Sequence, residues 1–336
     1  MSYKQSPIFT DVDYETNGKQ LGSLYLPHSV HRSAYGNITI PICVVKNGSG
    51  PTILLIAGNH GDEYEGQIAV TRFIQDIDPT QVEGRLVLLP AVNFPAAMAG
   101  QRVSPIDNGN FNRSFPGDPD GSPTSKIAHY LNACIFPMCD AIHDFHSGGS
   151  SLDYVPFASM RKTEDESYNA KTLAALKAFA PPIAVVWQHS LEVTTLTHAC
   201  NEKRIVCLGG EFGGRGFVNR DGLSMIEEGI RRLLHYFEVV ELPRDAPPPP
   251  EMRFMEVRDR NYYLLSPAVG IFEPLVKLGD WVRAGQMAGQ VYFVDDPLRV
   301  PVPCRFQADG MVICERAMGR VERGDCLYHL ASEYDI

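Results

Sequence analysis

The stretch Gly58-Asn59-His60-Gly61-Asp62-Glu63 places an imidazole and a carboxylate three residues apart in a glycine-rich turn. Both groups are good ligands for a borderline metal such as Zn²⁺. The turn follows directly on an apolar run, Ile53-Leu54-Leu55-Ile56-Ala57, and a strand ending there delivers both side chains to one edge of a sheet. A His-x-x-Glu pair recurs by chance in many chains. Its weight here comes from two later segments, Asp144-Phe145-His146-Ser147-Gly148-Gly149 and Gly209-Gly210-Glu211-Phe212-Gly213-Gly214. A catalytic zinc site takes three protein ligands and keeps one position open for water. His60 and Glu63 supply two, and His146, at the end of another candidate strand, supplies the third. Zinc so held brings the pKa of its water to about 7 and polarises a scissile carbonyl, so the chemistry is hydrolysis.

Glu211 is framed by glycines, which let the backbone approach a substrate closely. A carboxylate there can take a proton from the water and return it to a leaving nitrogen. Between the ligands lies a long, polar, turn-rich segment from Ser104 to Asp118. Arg113 in it, planar and permanently charged, suits bidentate recognition of a carboxylate. Asn112 adds a hydrogen bond, and Arg102 just upstream suits the oxyanion of a tetrahedral intermediate. Each residue taken singly also has a plainer reading: a histidine that satisfies a turn, a turn carboxylate, solvated loop arginines. His143 competes with His146. Along an extended strand positions 143 and 145 share one face and 144 and 146 the other, so His143 reads as a core histidine or one that supports a ligand. Asp144 either accepts the free N–H of a ligating imidazole, fixing its tautomer, or is a buried turn residue.

The elements that must position these groups alternate. Residues 20–47 read as strands, Leu21–Leu26 and Ile38–Val45. Short apolar strand candidates follow at 52–57, 86–91, 141–145, 183–187 and 204–208, and helical patterns lie at 64–77, 124–138, 165–180 and 221–238. Apolar strands alternating with helices predict an α/β sheet covered on both faces. In such sheets ligands bind beyond the carboxyl ends of the strands, where His60, Glu63, His146 and Glu211 all fall. Pro243-Arg244-Asp245-Ala246-Pro247-Pro248-Pro249-Pro250 is a stiff linker. It divides an α/β unit, 1–245, from a unit, 246–336, whose short strands and Gly-Asp or Asp-Gly turns predict a small all-β domain. The segment from Gly270 to Gln286 resembles the barrel-sandwich hammerhead of biotinyl and lipoyl carrier domains. No lysine stands in the hairpin-tip context those carriers modify, so a structural or gating role is expected.

The 336 residues suffice for two domains, and 44% hydrophobic content is that of a chain with a core. A net charge of −10 argues against nucleic acid or an anionic membrane as partner. No apolar run reaches the roughly 18–20 residues of a membrane span, and Met1–Pro7 lacks the apolar stretch of a secretory leader. The eight cysteines form no Cys-x-x-Cys. Reduced core cysteines and a cytoplasmic location are expected.

Together these segments resemble the succinylglutamate desuccinylase/aspartoacylase family of zinc deacylases, relatives of the metallocarboxypeptidases. Gly58–Glu63 is similar to the family's first ligand motif, Asn112-Arg113 to its Asn-Arg pair, Asp144-Phe145-His146 to its third-ligand motif, and Glu211 to its catalytic glutamate. The resemblance runs from about residue 20 to 336. It implies a zinc-carboxypeptidase-like mixed sheet flanked by helices, followed by a small barrel-sandwich-like β domain that caps the site. One zinc ion per chain would be held by His60, Glu63 and His146. Glu211 would activate water, Arg102 would polarise the acyl carbonyl, and Arg113 with Asn112 would bind the substrate's α-carboxylate.

Ala34-Tyr35-Gly36-Asn37, the run from Asn59 to Gly66, Ser104-Pro105-Ile106-Asp107 with Asn112–Gly117, and His146–Gly149 with Leu152–Ala158 place the resemblance nearest to one branch of the family. That branch deacetylates N-acetyl-L-2,4-diaminobutanoate in ectoine breakdown. The implied partner is a small N-acyl amino acid, with neither nucleic acid nor membrane, and self-association into a homo-oligomer stays open. Aspartoacylase-like or succinylglutamate-desuccinylase-like deacylation, a carboxypeptidase-like activity on peptides, and a non-catalytic metal-stabilised binding module are the alternatives. The tyrosine that aspartoacylases take from the C-terminal domain has Tyr262 and Tyr263 as its candidates.

Overall fold

The computed structural model describes residues 6–188, 193–244 and 246–336. Its spine is one large mixed sheet. The central strands Gly84–Leu89, Thr52–Ala57, Ala141–Phe145 and Val206–Glu211 lie side by side and parallel. Phe157–Arg161 then pairs antiparallel to Val206–Glu211, and Ile183–Trp187 runs parallel to Phe157–Arg161. On the other flank Gly18–Pro27 and Asn37–Asn47 form a long antiparallel pair that joins the sheet at Gly84–Leu89.

The apolar character of the central strands follows from burial on both faces. Leu54 and Ile56 point into a core that also holds Ile127, Ala128, Leu196 and Ala199, from the helices Pro123–Tyr130 and Leu196–Lys203. Ile53, Leu55 and Ala57 point the other way. There they meet Ala69, Val70, Leu176, Phe179, Ile226 and Ile230, from the helices Glu65–Asp76, Glu166–Phe179 and Arg220–Tyr236. Each fully buried leucine or isoleucine contributes about 1.5–3 kcal/mol of transfer free energy.

Prolines explain where element boundaries differ from the sequence reading. The strand expected at 86–91 ends at Leu89, because Pro90 has no N–H for a central ladder. The helix expected at 124–138 is α-helical only to Tyr130, then widens over Leu131–Ile135 and tightens over Phe136–Met138. Pro137 removes a donor and crowds the preceding turn. The strand expected at 204–208 continues through Gly209 and Gly210 to Glu211. Those glycines pair with Ser159 and Ala158 instead of turning.

Past the polyproline segment the chain both extends this sheet and builds a second one. Asp245, at the boundary set from the sequence, lies outside the described residues. Arg253–Val257 pairs parallel with Ile183–Trp187, and Cys326–Glu333 and Gly310–Arg316 follow it in the sheet. Val302–Arg305, Met287–Tyr292, Gly270–Pro274 and Arg320–Val321 make a separate four-stranded antiparallel sheet. Leu152–Tyr154 pairs with Gly310–Arg316, placing Tyr154 opposite Cys314 and Leu152 opposite Arg316. This pairing joins the C-terminal strands to the sheet edge that carries the candidate ligands. All eight cysteines are unpaired. Among the described residues no helix is long and apolar enough to cross a membrane.

Two histidines are buried as neutral rings. His143 packs on Phe145 and Phe179, with ring centroids 4.1 and 4.7 Å apart, as the strand alternation requires of a core residue. His329 stacks on Tyr263 at 4.0 Å and on Trp187 at 5.2 Å. No nitrogen of either ring has a hydrogen-bond partner among the described residues. Burial pushes both pKa values down from 6.5 to about 3. The unfolded chain therefore takes up protons near pH 6.5 that the folded chain refuses. Stability is complete above that pH and falls toward pH 3, by about 1.4 kcal/mol per pH unit for each histidine. His329→Phe is expected to flatten this acid limb, with little change above neutrality. Urea midpoints at a series of pH values measure it, and an unchanged limb would show that His329 gains a proton while folded.

Candidate metal centre

The parallel register sets the site. Thr52–Ala57, Ala141–Phe145 and Val206–Glu211 are neighbours whose carboxyl ends lie at the same sheet edge. Gly58 turns the chain out of its strand at φ +67°, and a Cβ there would stand 2.8 Å from the Ala91 Cα. A Cβ on Gly61 would meet the Ala96 carbonyl carbon at 2.0 Å. Only glycine allows this packing, which seats His60 and Glu63 beneath the strand ends, each 3% exposed. His146 and Glu211 are bridged by backbone: the His146 N–H donates to the Gly210 carbonyl at 3.1 Å, and the Phe212 N–H donates to the His146 carbonyl at 2.9 Å.

The side chains converge. His60 Nδ1 stands 2.7 Å from Glu63 Oε1, and His146 Nδ1 stands 2.8 Å from Glu63 Oε2. One donor atom from each of the three residues lies within 4.8 Å of the others. The far nitrogens are committed. His146 Nε2 stands 2.8 Å from Asp144 Oδ2, and His60 Nε2 stands 3.3 Å from Asn110 Oδ1. A neutral ring with its proton on Nε2 would present its lone pair on Nδ1 to Glu63. Two lone pairs and a carboxylate aimed at one another repel unless a cation or a proton stands among them. Burial disfavours the charged His146 ring, but the carboxylates of Asp144 and Glu63 outweigh it and hold its pKa well above 6.5. Burial alone would raise Glu63, yet the His60 and His146 imidazoles hold it well below the ordinary carboxylate range. Such a set of two imidazole nitrogens and a carboxylate, with an orienting carboxylate behind one ring, fits a borderline divalent cation such as zinc. Asn59 Nδ2 donates to the same Asp144 oxygen at 2.9 Å and fixes that support.

Glu211 faces this nest with Oε2 buried and no hydrogen-bond partner among the described residues. Burial, and after it the charge of Glu63, push its pKa up to about 8. A carboxylate so placed is short of positive charge and ready for a proton.

His60, Glu63, Arg102, Asn112, Arg113, His146 and Glu211 line one cavity of about 380 Å³. Arg102 Nη1 stands 3.2 Å from His60 Nδ1 and 3.3 Å from Glu63 Oε1, its side chain half exposed. Asn112 Oδ1 accepts the Leu196 N–H at 2.9 Å, and Arg113 Nη1 donates to the Asn112 carbonyl at 2.9 Å. Asn112, Arg113 and Glu211 also line an adjoining cavity of about 400 Å³, walled by Arg161, Trp187, Asp259 and Tyr263. Of the two tyrosines singled out in sequence, Tyr263 reaches this second lobe. The Tyr262 hydroxyl pairs with Ser332 Oγ at 2.9 Å instead. The sequence reading gave no site role to Asn110, Tyr154, Arg316 and Cys326, the last three lining the first cavity. Asn110 lies in the loop already singled out, and its amide gave a signal; Arg316 and Cys326 gave none.

Two imidazoles converging on a carboxylate, opposite a Glu211 oxygen with no hydrogen-bond partner among the described residues, are an arrangement for hydrolysis. The chain belongs to the succinylglutamate desuccinylase/aspartoacylase family of deacylases: residues 49–237 match the succinylglutamate desuccinylase/aspartoacylase catalytic domain. It is 39% identical, over 98% of its length and 96% of the relative's, to an N-alpha-acetyl-L-2,4-diaminobutyric acid deacetylase of Halomonas elongata. Among solved structures, a succinylglutamate desuccinylase/aspartoacylase of Rhodobacter sphaeroides is 40% identical with a TM-score of 0.92, covering 98% of this chain and 100% of that one. The product-bound ectoine utilization protein EutE (DoeB) of Ruegeria pomeroyi is 37% identical with a TM-score of 0.93, covering 97% of this chain and 99% of that one.

Proposed function

We propose that this enzyme hydrolyses N-acetyl-L-2,4-diaminobutanoate to acetate and L-2,4-diaminobutanoate, with one zinc ion held by His60, Glu63 and His146. The observation that carries the chemistry is the convergence of those donor atoms within 4.8 Å, opposite Glu211 Oε2, which has no hydrogen-bond partner among the described residues. Near-complete coverage of the Halomonas deacetylase supports the choice of acyl group and amine. Zinc, when bound, supplies polarisation of the acyl carbonyl and acidifies the attacking water toward neutrality. Glu211 takes the water's proton and returns it to the leaving nitrogen as the amide C–N bond breaks. Arg102, beside the ligands, donates to the acyl oxygen as negative charge develops there. Arg113 pairs with the substrate's α-carboxylate, and Asn112, anchored on the Leu196 N–H, holds that side of the pocket in place.

Residues 1–245 are read as the catalytic unit and 246–336 as a β unit that caps the site. The pairing of Gly310–Arg316 with Leu152–Tyr154 supports the capping. The unpaired cysteines accord with a cytoplasmic enzyme.

Metal-replete protein incubated with the acetyl derivatives of diaminobutanoate, aspartate, glutamate and ornithine tests the reading, with released acetate as the readout. Diaminobutanoate is expected to lead in kcat/KM by about tenfold or more. Equal or faster release from acetylaspartate would overturn the amine assignment, and no release from any of the four would overturn the activity.

A further inference from the structure

The site cavity has two ends. One passes Asn112, Arg113 and Glu211 into the lobe of Trp187 and Tyr263. The other stops at Leu152, Tyr154, Cys326 and Arg316. With the α-carboxylate on Arg113, an assignment that rests on the proposed function, the amino-acid half fills the first lobe. The acyl half then points at the second end. Arg316 reaches that end through the strand pairing that sets it opposite Leu152. Its side chain is 11% exposed, and Nη2 donates to Asp325 Oδ2 at 2.9 Å. Nη2 also approaches the Arg320 carbonyl at 3.3 Å, and Nε the Met318 carbonyl at 3.4 Å. The guanidinium is thus held in place by its own β unit. Another cavity, of about 420 Å³, is lined by Phe217, Phe272, Pro274, Met318 and Tyr328, by the Arg215–Glu315 ion pair, and by Arg316 itself. Arg316 lines both cavities.

We propose that Arg316 sets the acyl-chain length this enzyme accepts. An acetyl group ends before the guanidinium. A longer apolar chain must either desolvate a fixed charge or displace it from Asp325, and both are costly. Phe217, Phe272 and Met318 in the outer cavity would receive such a chain once the wall is removed, beside the Arg215–Glu315 pair.

The test is kcat/KM for the N-acetyl, N-butyryl and N-hexanoyl derivatives of both diaminobutanoate and glutamate. Wild-type protein is expected to fall about 100-fold or more from acetyl to hexanoyl. Arg316→Leu is expected to raise the hexanoyl-to-acetyl ratio about tenfold or more, and Arg316→Lys to leave it near wild type. Adding Met318→Trp to Arg316→Leu refills the outer cavity and should restore the preference for acetyl. Should the leucine variant not fold, Arg316→Gln, which can still hydrogen-bond Asp325, carries the same comparison. A wild-type enzyme that takes hexanoyl as readily as acetyl, or a ratio unmoved by loss of the arginine, overturns the proposal. Turnover of the glutamate series alone would defeat the amine assignment while the acyl ratio is still read. No turnover of either series overturns both.

Discussion

Glu211→Gln is expected to lose turnover by about three orders of magnitude while the protein keeps its metal. The substitution preserves shape and hydrogen-bonding size, so the cavity and the three ligands stay as they are. It removes the capacity to hold a proton. Glu211 is driven toward that task by burial first and by the charge of Glu63 second, which together raise its pKa to about 8. His146 and Arg102 pull in the other direction without overcoming them. The raised pKa sets the sign of the pH dependence. Glu211 must be ionised to accept a proton, so wild-type activity rises with pH along a limb governed by this group. A cation in the neighbouring nest favours the carboxylate and moves that limb below about 8. In the glutamine variant the limb should vanish along with the rate. Acetate release across pH, beside metal content by atomic absorption, reads both. Unchanged turnover would remove Glu211 from the mechanism, and lost metal would make it a structural support of the ligands.

The convergence of the candidate ligand residues was legible in sequence for a local reason. An apolar strand running into a glycine turn dictates where the next side chains go, and His60 and Glu63 sit in such a turn. Strand alternation also separated His143 from His146. The structure places His143 among phenylalanines and sets Asp144 on the ligand's side, 2.8 Å from His146 Nε2. That contact is the one an Asp144 orienting the imidazole would make. What was not legible depends on chain closure. Asn110 meets His60 only because the loop folds back over the turn. Arg316 comes from the far end of the chain, brought in by pairing with Leu152–Tyr154. That strand and Phe157–Arg161 are short, interrupted by Pro156, and carry no long apolar run, so pattern alone passed over them. The two glycines before Glu211 read as a turn but belong to the strand, paired with Ser159 and Ala158. That shift makes Glu211 the last strand residue and aims it at the ligands.

His146→Ala is expected to leave purified protein with less than about a tenth of the wild-type metal content, since losing one of three ligands costs more than the 10–100-fold loss typical of a supporting residue. The vacancy has a second effect. His146 is the partner of two buried carboxylates, Glu63 at 2.8 Å and Asp144 at 2.8 Å. Removing it leaves both, each almost fully buried, with fewer compensating charges. Breaking such a buried partnership costs about 3–5 kcal/mol, so the alanine variant should also unfold at lower denaturant concentration than wild-type protein stripped of metal. Asp144→Asn separates the two effects. It keeps the ligand and the hydrogen-bonding shape, but the amide oxygen supports the imidazole more weakly than a carboxylate. Metal affinity should then drop by about 10–100-fold with a much smaller loss of stability. The expected order of metal retention is wild type, Asp144→Asn, His146→Ala. Full occupancy in the alanine variant would take His146 out of the ligand set and leave His60 and Glu63 without the third donor that hydrolysis at this sheet edge requires.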